Sequence, residues 1–385
     1  MILSLFFELL QVGIWGRDIN MSLFLDYIRE KREKVPWNLI CSMAEEQSVI
    51  GPISEGIDIF ARELKDLPLS TEEQGLLKPQ KADVRPYLSK IVSLGNRYEM
   101  TWNLAAEVVR VLRGKDIPSV IVKGLGLAML YPNPHLRFSS DIDILIPHVY
   151  YPEAKRLLSI WADEVVGEEA NDQELKLKKQ EMCIELHGTA NMRVNALMDR
   201  TLNRMKEQMF KDDSVASLLG ESGDEIPVPN DLFNTAFIPA HLLHHFYKGG
   251  ISLKSYCDWA VFIKHIEEKD RKEERILSLL KGMRMMEEWH GLASFAVCYL
   301  GLPESEVPCL KKADEKVAKR LLDFTFSASN KKEDVSSESF IARKAKALKT
   351  GLRELYPTFF VFPKGSMRAI AFLILDGSKR FIQGK

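Results

Sequence analysis

Apolar residues recur at helical spacing through most of the chain. The segment 84–113 has apolar positions every three or four residues, which predicts one long amphipathic helix. The segment 1–15 is apolar almost throughout and predicts another helix. Because Glu8 lies inside this run and Arg17 follows too soon for a bilayer span, we expect this helix to be buried within the protein. From Asp231 onward the pattern is again helical.

The middle of the chain carries strand-like patterns. A β-branched run at 120–122 leads into a glycine turn. In 141–146, Asp141 and Asp143 alternate with isoleucines, so both carboxylates project from one strand face. The segment 182–187 alternates in the same way and places three polar side chains on one face. These are Cys183, Glu185 and His187.

Together these patterns predict an α+β protein. We expect a small mixed sheet within residues 116–230, flanked by helical regions over 1–115 and 231–385. A helix is expected over about 195–210, and an extended piece should end at the helix cap Asn230. A functional site would then lie in the cleft between the sheet and the C-terminal helices.

Three polar stretches predict irregular structure. Residues 78–83 have the composition of a linker, 163–172 that of an acidic loop, and 329–339 that of an exposed loop. No internal repeat interrupts this order of elements.

Composition and charge narrow the class of protein. The 385 residues are 46% hydrophobic and 28% charged, which is typical of a soluble globular protein. A net charge of −1 gives no overall attraction to nucleic acid or anionic membrane. Residues 341–385 are basic, with ten Lys or Arg against two acids, and could contact an anionic partner or form a solvated helix. Five scattered cysteines without a Cys-x-x-Cys pair predict reduced thiols and a cytoplasmic location.

The candidate chemistry lies in the segment 118–147. Neighbouring carboxylates repel each other, and proteins usually keep such a pair to hold a divalent cation, so Asp141 and Asp143 predict a metal site. The glycine turn at 123–126 would let the backbone approach a phosphate. Arg137 offers a planar fork that suits phosphate oxygens.

The order of strand, glycine turn, helix, arginine-bearing loop and Asp-x-Asp strand resembles the DNA polymerase-β superfamily of nucleotidyltransferases. The closer resemblance is to its uncharacterised bacterial nucleotidyltransferase family. The strong match covers 118–147, with weaker echoes from about 180 to 265. The superfamily turn usually has a small residue directly after its first glycine, where this chain has Leu125.

The resemblance implies a polymerase-β-like core and a magnesium-dependent transfer of a nucleoside monophosphate. The donor would be a nucleoside triphosphate, ATP by default, and the acceptor is not identified by the sequence. Two Mg²⁺ ions are implied, with Mn²⁺ as a substitute. The implied catalytic and metal-binding acids are Asp141, Asp143 and, on a neighbouring strand, Glu185. The implied nucleotide-binding residues are Lys123, Gly124, Gly126, Arg137 and Ser140. Further cleft residues would be His187, Lys254 and Asp258.

Two groups of residues have structural alternatives. Lys254 and Asp258 are four positions apart and could form an intrahelical ion pair instead of lining a cleft. Three histidines share one helical face at a spacing that can bind zinc. They are His241, His244 and His245. Their helix is otherwise apolar and has no cysteine partner at finger spacing, which favours packed or cleft-lining histidines.

Two other functions stay open at this point. Leu125 departs from the usual glycine turn, and this departure is the ground for a second hypothesis: a catalytically silent relative that binds a nucleotide without releasing pyrophosphate. The basic segment 341–385 motivates a protein that acts on an RNA or DNA end. The chain lacks an obvious aromatic and basic RNA-binding surface, so the nucleic-acid function ranks behind the other two.

Overall fold

The expected α+β fold is confirmed in the computed structural model, which describes residues 1–169, 173–220, 223–266, 271–328 and 352–382. The predicted exposed loop at 329–339 and part of the basic segment lie outside these residues. The predicted division of the chain after residues 115 and 230 stays a prediction.

Six helices precede the sheet. They are α1 (Ile2–Trp15), α2 (Met21–Lys31), α3 (Trp37–Glu46), α4 (Ile50–Glu63), α5 (Thr71–Leu77) and α6 (Lys81–Arg113). The predicted linker at 78–83 is wrong in its second half, because α6 already begins at Lys81. Gln80 and Asp83 form a capping box there, which satisfies backbone N–H groups of the first turn and extends the helix toward its N-terminus.

A five-stranded mixed sheet follows α6. Its elements are β1 (Val120–Val122), α7 (Gly124–Ala128), β2 (Asp141–Leu145), α8 (Tyr151–Trp161), β3 (Glu164–Glu169), β4 (Glu174–Lys179) and β5 (Met182–His187). The strand order is β1-β2-β5-β4-β3, with β2 and β5 parallel and every other pair antiparallel. The alternation predicted for 182–187 is confirmed, since buried and half-buried residues alternate along β5.

The predicted acidic loop at 163–172 is wrong, because its first part forms the edge strand β3. The backbone of β3 pairs with β4 from Glu164 to Glu169, while nearly all of its side chains remain exposed. An edge strand tolerates such an acidic sequence because its side chains stay in water. Composition therefore misled the prediction, and strand pairing decided the structure.

The remaining elements follow the sheet along the chain. They are α9 (Ala196–Lys211), β6 (Ala216–Leu219), β7 (Glu225–Val228), α10 (Asp231–Tyr247), α11 (Leu253–His265), α12 (Glu273–Met283), α13 (Met286–Leu300), α14 (Glu315–Ala328) and α15 (Pro363–Ile382). The expected helix near 195–210 and the extended piece before Asn230 are confirmed as α9 and β7. The Asn230 side chain caps α10 by accepting a hydrogen bond of 2.9 Å from the Phe233 amide.

Helix α1 is buried, as its apolar sequence predicted. It packs against α4, and Gln11 donates a hydrogen bond of 3.0 Å to the Tyr299 carbonyl near the end of α13. Helices from both ends of the chain thus share one hydrophobic cluster. In the part of the chain that the structure describes, no helix combines the length and apolarity needed to cross a membrane.

A second cluster joins the sheet to α6 and α8. Ile142, Ile144, Ile184 and Leu186 contribute the sheet side of this cluster. The alternate residues of β2 and β5 therefore face the other way, toward α10 and α11. This opposite face carries the polar side chains that the sequence singled out.

Candidate active site

Asp143 and Glu185 lie side by side on neighbouring strands. In the parallel register of β2 and β5, Asp143 pairs with Glu185 and Leu145 pairs with His187. The structure therefore brings together two carboxylates that are separated along the chain by two strands and a helix. Asp143 is only 3% exposed, so its charge needs close partners.

Three cations surround these carboxylates. Asp143 Oδ1 accepts hydrogen bonds from Lys123 Nζ at 2.8 Å and from His187 Nε2 at 3.3 Å. Glu185 accepts one from Lys176 Nζ at 2.9 Å, and His187 Nε2 lies 3.6 Å from its other oxygen. The buried Asp143 and the half-buried Glu185 thus each have two positively polarised partners.

These contacts set the protonation states of the cluster. Burial alone would raise the pKa of Asp143, but the Lys123 ammonium and the His187 ring hold that pKa far below its ordinary value. The nearby His187 ring is the main cause that lowers the pKa of Glu185 to about 2, against the opposing effect of burial. For His187, burial alone would lower the pKa, but its contacts with the two carboxylates raise the pKa to about 9. At neutral pH both acids are ionised and His187 is an imidazolium.

The cluster is also a candidate metal centre. Ligand atoms of Asp143, Glu185 and His187 lie within 4.8 Å of one another, and carboxylate oxygens are the ligands that Mg²⁺ prefers. Asp141 lines the same cleft but lies outside this ligand group of the described residues. Its carboxylate accepts a hydrogen bond of 2.7 Å from the Ser140 hydroxyl.

Sequence reasoning missed Lys176 as a partner of Glu185. Lys176 lies opposite Glu185 in the antiparallel pairing of β4 and β5. The hairpin between these strands turns at Gln180 and Glu181, both of which have positive φ. A hairpin recognised at that point would have placed the lysine beside the acid, because the turn fixes the register of the two strands.

The glycine turn has an unusual backbone at Lys123 rather than at its glycines. Lys123 has φ 59° and ψ −117°, a conformation that residues with a side chain rarely adopt. Gly124 follows at the first position of α7 and borders the cleft. A Cβ on Gly126 would point to Val228, 3.6 Å away. A role for Gly126 in nucleotide binding stays a prediction.

Leu125, the departure from the superfamily pattern, is buried in the cluster between the sheet and α6. Its side chain is 1% exposed, so the larger residue is accommodated by the core. The cleft does not have to accept its volume.

Arg137 forms a buried clamp across the cleft floor. Its guanidinium donates to Asp258 through Nε at 3.0 Å and Nη2 at 2.6 Å, and to the Gly124 carbonyl through Nη1 at 3.0 Å. Tyr131 Oη donates a further bond of 2.8 Å to Asp258. The clamp ties the glycine turn and the loop before β2 to α11. Phosphate binding by Arg137 stays a prediction, and it would require these bonds to be exchanged.

Lys254 is directed toward the cleft wall beside this clamp. Its ammonium lies 3.5 Å from the Phe138 carbonyl oxygen and 5.9 Å from the Phe138 ring centroid. Burial, followed by the positive charge of Arg137, lowers its pKa to about 8. Asp258, the partner of Lys254 in the alternative intrahelical ion pair, accepts hydrogen bonds from Arg137 and Tyr131.

The three histidines of α10 line the cleft opposite the carboxylates, in agreement with the favoured alternative. His241 Nε2 lies 3.0 Å from Lys123 Nζ, and His245 Nε2 lies 3.2 Å from His241 Nε2. Burial is the main cause that lowers the pKa of His244 to about 3, that of His245 to about 4, and that of His241 well below its ordinary value. All three are neutral at physiological pH. They do not belong to the metal-ligand group found among the described residues.

These residues enclose a cleft of about 540 Å³ between the sheet face and helices α10 and α11. Nearly every residue that the sequence singled out lines it, together with Glu174, Lys176 and Lys248. The volume is in the range of small-molecule sites, which commonly span about 300–1,000 Å³.

Comparison with known protein families supplies a match. The model of a family described as an uncharacterised nucleotidyltransferase matches residues 33–301, which is well over half of the chain. The matched segment includes the whole five-stranded sheet together with α10 and α11. No curated protein matches the chain.

Proposed function

This chain belongs to that nucleotidyltransferase family, as its sequence motif predicted, and we propose that it transfers a nucleoside monophosphate from a nucleoside triphosphate to an acceptor. In the proposed reaction an acceptor hydroxyl or phosphate oxygen attacks the α-phosphorus, and pyrophosphate leaves. ATP is the default donor. The supporting observation is the convergence of Asp143 and Glu185 from two parallel strands onto a cleft that also contains Lys123 and Lys254.

The residues present fit a divalent metal. Asp143 is buried and the neighbouring Glu185 is half-buried, and the Lys123 ammonium already lies against Asp143, which supports a preference for positive charge there. Asp143 and Glu185 would hold the metal, with Asp141 contributing from the same strand face; Mg²⁺ suits these oxygen ligands and Mn²⁺ would substitute. When bound, the metal would neutralise charge that develops on the transferring phosphate.

Glu185 suits the role of a ligand better than that of a general base. A pKa of about 2 makes its carboxylate a weak proton acceptor near neutral pH. His187 and Lys176, which lower this pKa, also fix the orientation of the carboxylate. We therefore assign His187 a positioning role toward both acids.

The adjoining part of the cleft would bind the triphosphate. Lys254, Ser139 and Ser140 line this part and offer one ammonium and two hydroxyl groups to phosphate oxygens. Arg137 stabilises the site by donating hydrogen bonds to the Gly124 carbonyl and to Asp258. These residues bind and orient the donor, so that the α-phosphorus faces the carboxylates.

Isothermal titration with the four ribonucleoside triphosphates, in magnesium and then in EDTA, tests this proposal. Wild-type protein should bind at least one of them only with magnesium, and the Asp141→Ala/Asp143→Ala protein should not bind it. Asp163→Ala is a matched control, because Asp163 is paired with Lys179 at 2.9 Å but lies outside the cleft lining. It should bind like wild type.

A coupled pyrophosphate assay then separates an enzyme from the silent alternative. Magnesium-dependent binding accompanied by pyrophosphate release supports the transferase. Binding without release under any acceptor tested would favour a nucleotide-binding relative. Full activity in the double variant would refute the assignment of the carboxylates.

A further inference from the structure

The ammonium group of Lys123 occupies the position at Asp143 where a bound cation is expected. Its Nζ lies 2.8 Å from Asp143 Oδ1 and 3.0 Å from His241 Nε2. His241 is neutral, so its ring nitrogen can accept a hydrogen bond from the ammonium. Lys123 therefore bridges the two walls of the cleft, from β2 to α10.

Charge balance explains why a cation is needed there. The Asp143 side chain is 3% exposed and the Lys123 side chain 18% exposed, so neither charge is well solvated. A buried carboxylate without a partner is costly, and a lysine ammonium at hydrogen-bond distance offsets that cost. Lys123 supplies much of the positive charge that offsets the Asp143 carboxylate.

A divalent metal would compete with Lys123 for the same oxygen. A metal at Asp143 Oδ1 would lie within a few ångström of the ammonium, where two positive charges repel strongly in a poorly solvated site. Lysine, however, has a flexible four-carbon stem and three rotatable donors, so its ammonium can change partner by side-chain rotation alone. The adjoining part of the cleft, lined by Ser139, Ser140 and Lys254, is where the proposed triphosphate would place its negative charge.

We propose that Lys123 is an exchangeable internal cation, which neutralises Asp143 when no metal is bound and moves to a phosphate of the nucleotide when a divalent metal binds Asp143. Lys123 would thus make metal binding and triphosphate binding favour each other. The part of this inference that concerns the nucleotide rests on the proposed function. The competition between Lys123 and the metal stands on the Lys123–Asp143 contact itself.

The test measures the affinity of the metal-stripped full chain for Mn²⁺ alone, by electron paramagnetic resonance of the free ion. Lys123→Met removes the competing charge, and Lys123→Gly removes it while suiting the positive φ at this position. Both variants should bind Mn²⁺ about tenfold or more tightly than wild type. Lys179→Met is the matched control, because Lys179 also pairs with an aspartate, at 2.9 Å and with 20% of its side chain exposed, outside the cleft. It should stay within about twofold of wild type.

A second experiment measures the coupling between Mn²⁺ binding and triphosphate binding. Its main result comes from the wild-type protein and does not depend on whether a variant folds. A non-hydrolysable triphosphate analogue should raise the Mn²⁺ affinity of wild type by about tenfold or more, and that of the Lys123 variants by less. Unchanged or weaker Mn²⁺ binding in the Lys123 variants would overturn the proposal, and so would the lack of coupling in wild type.

The outcomes separate this proposal from the proposed function. Tighter Mn²⁺ binding in the Lys123 variants, together with coupling but no pyrophosphate release, would support the exchangeable cation while the transferase assignment fails. No Mn²⁺ binding in any variant would overturn both, because the carboxylates would then not form a metal site.

Discussion

The buried clamp between Arg137 and Asp258 offers a stringent test of how the cleft is built. Both side chains are nearly inaccessible, at 3% and 8% exposure, and two hydrogen bonds join them. Arg137→Met would leave the Asp258 carboxylate buried, with Tyr131 as its one hydrogen-bond donor among the described residues. Asp258→Leu would leave the guanidinium buried, with the Gly124 carbonyl as its one acceptor in the same part of the chain.

The expected magnitude follows from this geometry. Two unit charges about 4 Å apart interact by about 4 kcal/mol at an effective dielectric constant of about 20. Removal of one partner from a buried ion pair costs about 3–5 kcal/mol, because the remaining charge is uncompensated. Each single variant should lose free energy of unfolding in that range. The double variant Arg137→Met/Asp258→Leu removes both charges of the pair and should lose much less than the sum of the two.

Urea denaturation followed by circular dichroism and tryptophan fluorescence gives the four free energies of this double-mutant cycle. Arg62→Met is the matched control, since Arg62 forms a 3.0 Å ion pair with Asp58 on the exposed surface of α4. Its loss should cost a few tenths of a kcal/mol. The reasoning would be refuted by single variants that cost less than about 1 kcal/mol, or by additive costs in the double variant.

Two further predictions concern charge and packing. The pKa of His187 is raised to about 9, so its contribution to stability is complete below its ordinary value of 6.5 and is lost as pH rises through about 9. In metal-free buffer the thermal unfolding midpoint of the wild-type protein should therefore fall as the pH rises from about 6.5 to about 9. His187→Gln should remove that fall. Equal pH profiles for the two proteins would contradict the role assigned to His187. Gly13 lies at a close contact of α1 with α4, where a Cβ would lie 1.9 Å from the Pro52 carbonyl oxygen. Gly13→Ala should lower the free energy of unfolding by about 1–3 kcal/mol, measured by urea denaturation. Gly75→Ala is the control, because a Cβ there meets nothing within 4 Å, and it should be neutral or stabilising in α5. A tolerated Gly13→Ala would show that α1 and α4 are less closely packed.

Local patterns were sufficient to predict several features of the site. Alternation alone placed Asp141 and Asp143 on one face of β2, and Glu185 and His187 on one face of β5, and the structure has both strands as predicted. Such alternation is a property of the extended backbone and needs no tertiary information. The acidic segment that became β3 shows the limit of this approach, because its identity as a strand depends on a partner strand.

Contacts between distant segments were beyond the reach of the sequence. The guanidinium of Arg137 suits a phosphate ligand, but it donates hydrogen bonds to Asp258, which lies 121 positions away on α11. Lys123 was expected to bind phosphate, yet in this structure it contacts Asp143 and His241. Both outcomes depend on where α10 and α11 pack against the sheet.

The sequence by itself thus determined most of the elements, the face on which the polar side chains of β2 and β5 lie, and the family to which the chain belongs. Only the tertiary structure decided which charges meet: Asp143 with Glu185 through the parallel pairing of β2 and β5, and Lys123 with both walls of the cleft. The reason is physical. Backbone periodicity and turn chemistry act over a few residues, whereas strand order and helix packing are set by burial of the whole apolar core.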